Sequence, residues 1–108
     1  MAMLKPPPGL SKDARAIWRT IIDGWEIDDQ IAVVLGVALQ AYDRMQQARI
    51  MLKKEGLIIT SERSGVSHAH PAIGIEATAR QQFLTAWRNL GFDVVPPVAG
   101  VRPPLHGG

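Results

Sequence analysis

Asp28-Asp29-Gln30-Ile31-Ala32-Val33-Val34-Leu35-Gly36-Val37-Ala38-Leu39-Gln40 is the stretch on which the fold turns. Its two leading carboxylates suit an N-cap and the positive end of a helix macrodipole. Behind them Ile31, Val34, Leu35 and Ala38 share one side of a helix, while Ala32, Val33, Gly36, Val37 and Leu39 cover most of the rest. The period continues through Tyr42, Met45 and Leu52 to Gly56, a natural C′ residue behind Lys53, Lys54 and Glu55. The spacing predicts one helix of about 26 residues, a rod roughly 40 Å long at 1.5 Å per residue.

A helix that is apolar all round must be buried all round. Two other helices and a hairpin can cover only part of this one, so the remainder is expected to meet another copy of the chain. The alternative is a central helix wrapped entirely by its own polypeptide. Gly36 favours contact between copies, because a mid-helix glycine costs about 1 kcal/mol relative to alanine and is tolerated where a backbone must approach closely. The expected contact set is Ile31, Ala32, Val33, Gly36, Val37 and Leu39. Beyond Gln40 the helix turns amphipathic, with Asp43, Arg44, Gln47 and Lys54 toward water.

Upstream, Ser11 is a good N-cap, and Ala14, Ile17, Trp18, Ile21, Ile22 and Trp25 repeat as one helical face that closes near Gly24. Downstream, Leu57-Ile58-Ile59-Thr60 and Val66-Ser67-His68 flank the turn signal Ser64-Gly65 and predict a short hairpin. Pro71 suits the first turn of a third helix, and it holds His70 out of helical geometry. That helix carries the stripe Ala72, Ile75, Ala79, Phe83, Ala86 and Leu90 and ends at Gly91. The expected fold is mainly α: helix, long helix, small β-hairpin, helix, in a ring-forming oligomer. An extended arm occupies residues 1–10, the helical domain 11–93 and an extended Pro/Gly-rich tail 94–108.

Composition narrows the function. The 108 residues are 46% hydrophobic and 20% charged, as in a folded domain rather than a disordered chain. The absence of cysteine excludes a disulfide framework, a thiol nucleophile and a thiolate metal site. The longest apolar run, from Ile31 to Leu39, is far below the roughly 20 residues needed to span a bilayer, and no signal-peptide run opens the chain. A small cytosolic domain is expected. A net charge of +2 permits an anionic partner without demanding one.

Catalytic chemistry has little to stand on. His68-Ala69-His70 could offer two metal ligands, but a site needs a third and oriented supporting partners; a strand end and a helix start account for both histidines. Asp28-Asp29 is explained by capping. No Gly-rich loop followed by Lys and Ser/Thr is present to cradle phosphates.

The cations are better candidates. Lys12, Arg15 and Arg19 fall on the first helix opposite its apolar face, with Lys5 before them. Lys12 faces the positive end of the macrodipole, and Arg15 and Arg19 are like charges four apart, each arrangement costing a few tenths of a kcal/mol. A polyanion such as DNA would neutralise them; a solvated face partly balanced by Asp13 and Asp23 is the alternative. Arg49, Lys53 and Lys54 form a secondary group, although cations near a helix C-terminus also suit its dipole.

The succession of these pieces resembles a known family. Pro7-Pro8-Gly9-Leu10-Ser11-Lys12-Asp13-Ala14-Arg15 with Trp18 leads into Trp25-Glu26-Ile27-Asp28-Asp29. Ala41-Tyr42-Asp43-Arg44, Lys54-Glu55-Gly56-Leu57, His70-Pro71-Ala72, Phe83-Leu84 and Leu90-Gly91 follow. Over about residues 7–93 this order resembles the short terminase small subunits of tailed bacteriophages and prophages. The resemblance implies a non-enzymatic packaging component of the host bacterial cytoplasm that needs no cofactor. Such subunits recognise double-stranded viral DNA, assemble as rings, and deliver DNA to the large terminase subunit, whose ATPase and nuclease they modulate. The tail is a plausible docking segment for that partner. A dimeric helix-turn-helix regulator is the rival reading, but it would need a short second helix with base-reading side chains.

Overall fold

The structure, a computed structural model, describes residues 4–91. Its elements are α1 (Lys12–Gly24), α2 (Asp29–Glu55), β1 (Ile58–Thr60), β2 (Ser67–Ala69) and α3 (Ala72–Leu90). The expected order is the observed one. The expected tail, 94–108, lies outside the described residues.

Local chemistry sets each boundary. Ser11 Oγ accepts the Ala14 N–H at 3.0 Å to open α1, and Asp28 accepts the Ile31 N–H at 2.8 Å to open α2. Gly56, at φ 84°, closes α2 by donating its N–H to Leu52. Gly91, at φ 72°, closes α3. At 27 residues, α2 is long enough to extend the molecule to 60 × 27 × 20 Å. The radius of gyration, 16.8 Å, exceeds the roughly 12–13 Å of a compact chain of this length.

Helix α3 runs antiparallel to α2. Glu76 meets Arg49, Gln82 meets Arg44, and Asn89 lines a groove with Val33, so rising numbers on α3 meet falling numbers on α2. Between them Tyr42, Phe83 and Trp87 form a row of tilted rings with centroids 5.5 and 5.6 Å apart. Trp87 is in the core with Phe83, whereas Ile75, expected on the buried stripe, is exposed.

Helix α1 packs on the first half of α2 only. Leu35, Ala38 and Leu39 are fully covered there, in one core with Ala14, Trp18 and Ile21. The Gly36 backbone is approached closely, but by the chain itself: a Cβ on Gly36 would lie 2.9 Å from Pro7 Cγ of the arm and 3.9 Å from the Trp18 ring. Ala32, Gly36 and Leu39 are thus buried within the protomer. Of the residues expected between copies, Val33 (68% exposed) and Val37 (52%) stay open, and Ile31 is half-buried. The apolar opening of α2 is covered on most sides by arm, α1 and α3, and bare along one flank.

Asp43 corrects another expectation. It does not face water: at 9% exposure it accepts the Ser11 N–H at 2.8 Å and the Ser11 hydroxyl at 2.5 Å. The hairpin pairs Ile58 with Ala69, Ile59 with His68 and Thr60 with Ser67, and it is mostly exposed beyond the end of α2.

Candidate nucleic-acid interface

The first helix separates its side chains cleanly. Ala14, Trp18 and Ile21 are buried against α2, and this leaves Lys12, Arg15 and Arg19 exposed on the outer side. Among the described residues none of these three cations is in an ion pair. From Lys12 to Arg19 the seven helical steps cover about 10 Å of axis, comparable to three phosphates of one strand at 3.4 Å each. They form a compact cationic face that no ion pair among the described residues neutralises.

The other cations are placed differently. Lys5 is exposed but lines a groove between the arm and α2 together with Asp29 and Gln40, beside the Pro7–Gly36 contact. Arg49 lies against α3, its Nε 2.9 Å from Glu76, and Arg80 reaches the same carboxylate at 3.5 Å. That shared carboxylate satisfies Arg49 internally, so it is the weakest of the candidates. Lys53 and Lys54 are exposed, with no ion pair among the described residues. They stand about 15 Å along α2 from Asp43, where α1 begins. Sequence reading has no signal for the Arg49–Glu76 pair, because it joins two elements 27 residues apart.

His70 has a structural task. Its Nδ1 accepts the Ala72 N–H at 2.9 Å, which makes Nδ1 the unprotonated nitrogen and leaves Nε2–H to donate to Glu55 Oε1 at 3.0 Å. Its own N–H donates to Leu57 and its carbonyl accepts from Ile73. One buried side chain thereby caps α3 and ties it to the end of α2. Both ring nitrogens are engaged, and among the described residues no group of three His, Cys, Asp or Glu side chains could hold a metal.

A family model described as phage terminase, small subunit, matches residues 14–95. The chain belongs to that family. No curated protein and no solved structure matches it. Membership places this terminase small subunit in phage DNA packaging, as its sequence resemblance implied. The match takes in α1 from Ala14 onward, all of α2, the hairpin and α3, so Arg15, Arg19 and the bare flank of α2 lie within the matched residues and Lys12 lies just before them. Among the described residues of this terminase subunit no helix is long and apolar enough to cross a membrane.

Proposed function

We propose that the chain is the non-catalytic DNA adaptor of a phage packaging machine. It assembles as a ring in the host bacterial cytoplasm, holds viral double-stranded DNA, and delivers it to the large terminase subunit, whose activity it regulates. The observation that carries the DNA part is the face formed by Lys12, Arg15 and Arg19, exposed and without counter-ions among the described residues. Lys5, Lys53 and Lys54 are secondary candidates, and Arg49 comes last because Glu76 already occupies it.

Contacts of this kind position DNA without reading bases, so selectivity comes from DNA shape, from repetition around the ring, or from the large subunit. The bare flank at Val33 and Val37 supports assembly, since exposed valines on an otherwise buried helix are costly to leave in water. The regulator alternative is disfavoured by α2, whose 27 residues give no short recognition helix over a compact core.

The test is DNA binding by fluorescence anisotropy across about 50 to 200 mM salt, with light scattering alongside. Binding is expected to fall steeply with salt and to be abolished in Arg15→Glu with Arg19→Glu at unchanged particle mass. Undiminished binding in that double variant would remove α1 from the interface.

A further inference from the structure

Gly36, Asp43 and Ile50 recur every seven residues and so share one side of α2. The arm and α1 cover that side at Gly36 and Asp43. Because α1 begins at Lys12, beside Asp43, its cover stops there. Ile50, two turns further on, is 67% exposed, with Met51 also exposed and Lys53 and Lys54 just beyond. The lower end of α2 is therefore an apolar shelf edged by two cations. The cationic face of α1 is chemically different, because none of the large apolar residues left exposed among the described residues is on α1. Cations alone suit hydrated phosphates; cations edging isoleucine and methionine suit a protein surface of matching kind.

The matching kind exists at the other end of the same chain. The end of α1, the connection and the start of α2 together carry Asp23, Glu26, Asp28 and Asp29 around the half-buried Trp25 and Ile27. No Lys or Arg occurs between Arg19 and Arg44. Asp28 caps α2, while Asp23, Glu26 and Asp29 are exposed and in no ion pair among the described residues. Asp29 and Lys54 are about 37 Å apart along one helix, so the two ends of a protomer cannot satisfy each other.

We infer that copies of the chain join head to tail, the acidic connection of one copy seating on the Ile50–Lys54 shelf of the next. This rests on the reading that the chain works as an assembly. Carboxylates of Asp23 and Glu26 face Lys53 and Lys54, and Trp25 and Ile27 shelter Ile50 and Met51. A two-fold axis through either patch would set acid against acid or cation against cation, and an antiparallel two-fold pair would use up both patches at two copies. Joining two different patches in one direction instead propagates from copy to copy and closes wherever the rotation allows. The acidic connection leads directly into the first turns of α2, so the copy that inserts it also brings its Val33 flank to the same neighbour.

Charge exchange tests the inference on the full chain by size-exclusion chromatography with light scattering, with circular dichroism confirming helicity. Lys53→Glu with Lys54→Glu, and separately Asp23→Lys with Glu26→Lys, are each expected to reduce the wild-type assembly to single chains of 11.8 kDa. Ile50→Ser, which changes no charge, is expected to shift the assembly toward smaller species. Combining all four charge changes in one chain is expected to restore the wild-type mass. A wild-type mass of two chains, an assembly whose mass survives either charge-reversed pair, or a four-fold variant that stays monomeric, overturns the head-to-tail contact. A wild-type chain that is itself monomeric overturns the assembly reading as well, so the two failures are distinguishable.

Discussion

Ser11 and Asp43, 32 residues apart, are joined by two hydrogen bonds to one carboxylate, from the Ser11 backbone N–H and from its hydroxyl. The same hydroxyl accepts the Ala14 N–H, so the Asp43 charge is relayed into the first turn of α1. A cap that is ordinarily local is thus held by a tertiary partner, and it fixes where α1 begins along α2. Asp43→Ala is expected to cost about 2–3 kcal/mol, because two donors lose a charged acceptor at a nearly buried site. Ser11→Ala is expected to cost about 1–2 kcal/mol. The double variant should cost less than the sum of the two, and a urea-denaturation cycle measures the difference.

His70 joins three elements, and its substitutions should be ordered by which bond they keep. His70→Ala leaves the Ala72 N–H without its acceptor and is expected to lose about 1–2 kcal/mol. His70→Asn can return an acceptor oxygen to that N–H but not the reach to Glu55, so its melting temperature should fall between wild type and His70→Ala. Equal melting points for the two variants would contradict the capping role.

Gly36 and Pro7 are predicted to be coupled. Alanine at position 36 gains about 1 kcal/mol of helix propensity, but its Cβ would collide with the Pro7 ring. Gly36→Ala should therefore be more favourable in a Pro7→Ala background than in the wild-type chain, by about 1 kcal/mol in a denaturation cycle. An identical effect in both backgrounds would mean that the arm does not rest on α2 in solution.

Arg15 and Arg49 separate a free cation from an occupied one. Arg15→Gln is expected to lower the slope of log affinity against log salt by about 1, the signature of one lost phosphate contact. Arg49→Gln should leave that slope unchanged and cost about 0.5 kcal/mol of stability through the Glu76 pair, discounted for its exposed side chain. Matching slope changes in both variants would place Arg49 on DNA after all.

Val33→Asp with Val37→Asp should lower particle mass in light scattering while leaving the helical melting transition close to wild type, since both side chains are mostly in water in the single protomer. Retention of the full mass would mean that the bare flank of α2 is not part of the seam.

Much of the fold is legible in the residues themselves. Ser11, Asp28, Gly56 and Gly91 punctuate the helices where caps and C′ residues do, and Ser64-Gly65 announces the hairpin turn. What escapes a linear reading is what depends on distant partners. Asp43 reads as solvent-facing because nothing near it in sequence needs a carboxylate; the need comes from Ser11. Gly36 rightly signals close approach, but the visitor is the proline of the arm, and a helical wheel cannot say whose atoms fill a groove. Ile75 falls on the expected stripe of α3 yet is exposed, whereas Trp87, on the same helical period as Ala79 and Phe83, is buried with them. The outer cations of α1 are visible as a face, while the neutralised state of Arg49 is not.

Helix α2 passes without interruption from the braced end, where arm, α1 and α3 grip it, to the hairpin. A beam without a joint does not absorb a push. A load on the hairpin, passed on through the His70 tie, is expected to reach the Ser11–Asp43 clasp some 20 Å away as tilt rather than as local melting. The hairpin, the clasp midway along α2 and the cationic helix seated there are thus carried by one continuous rod.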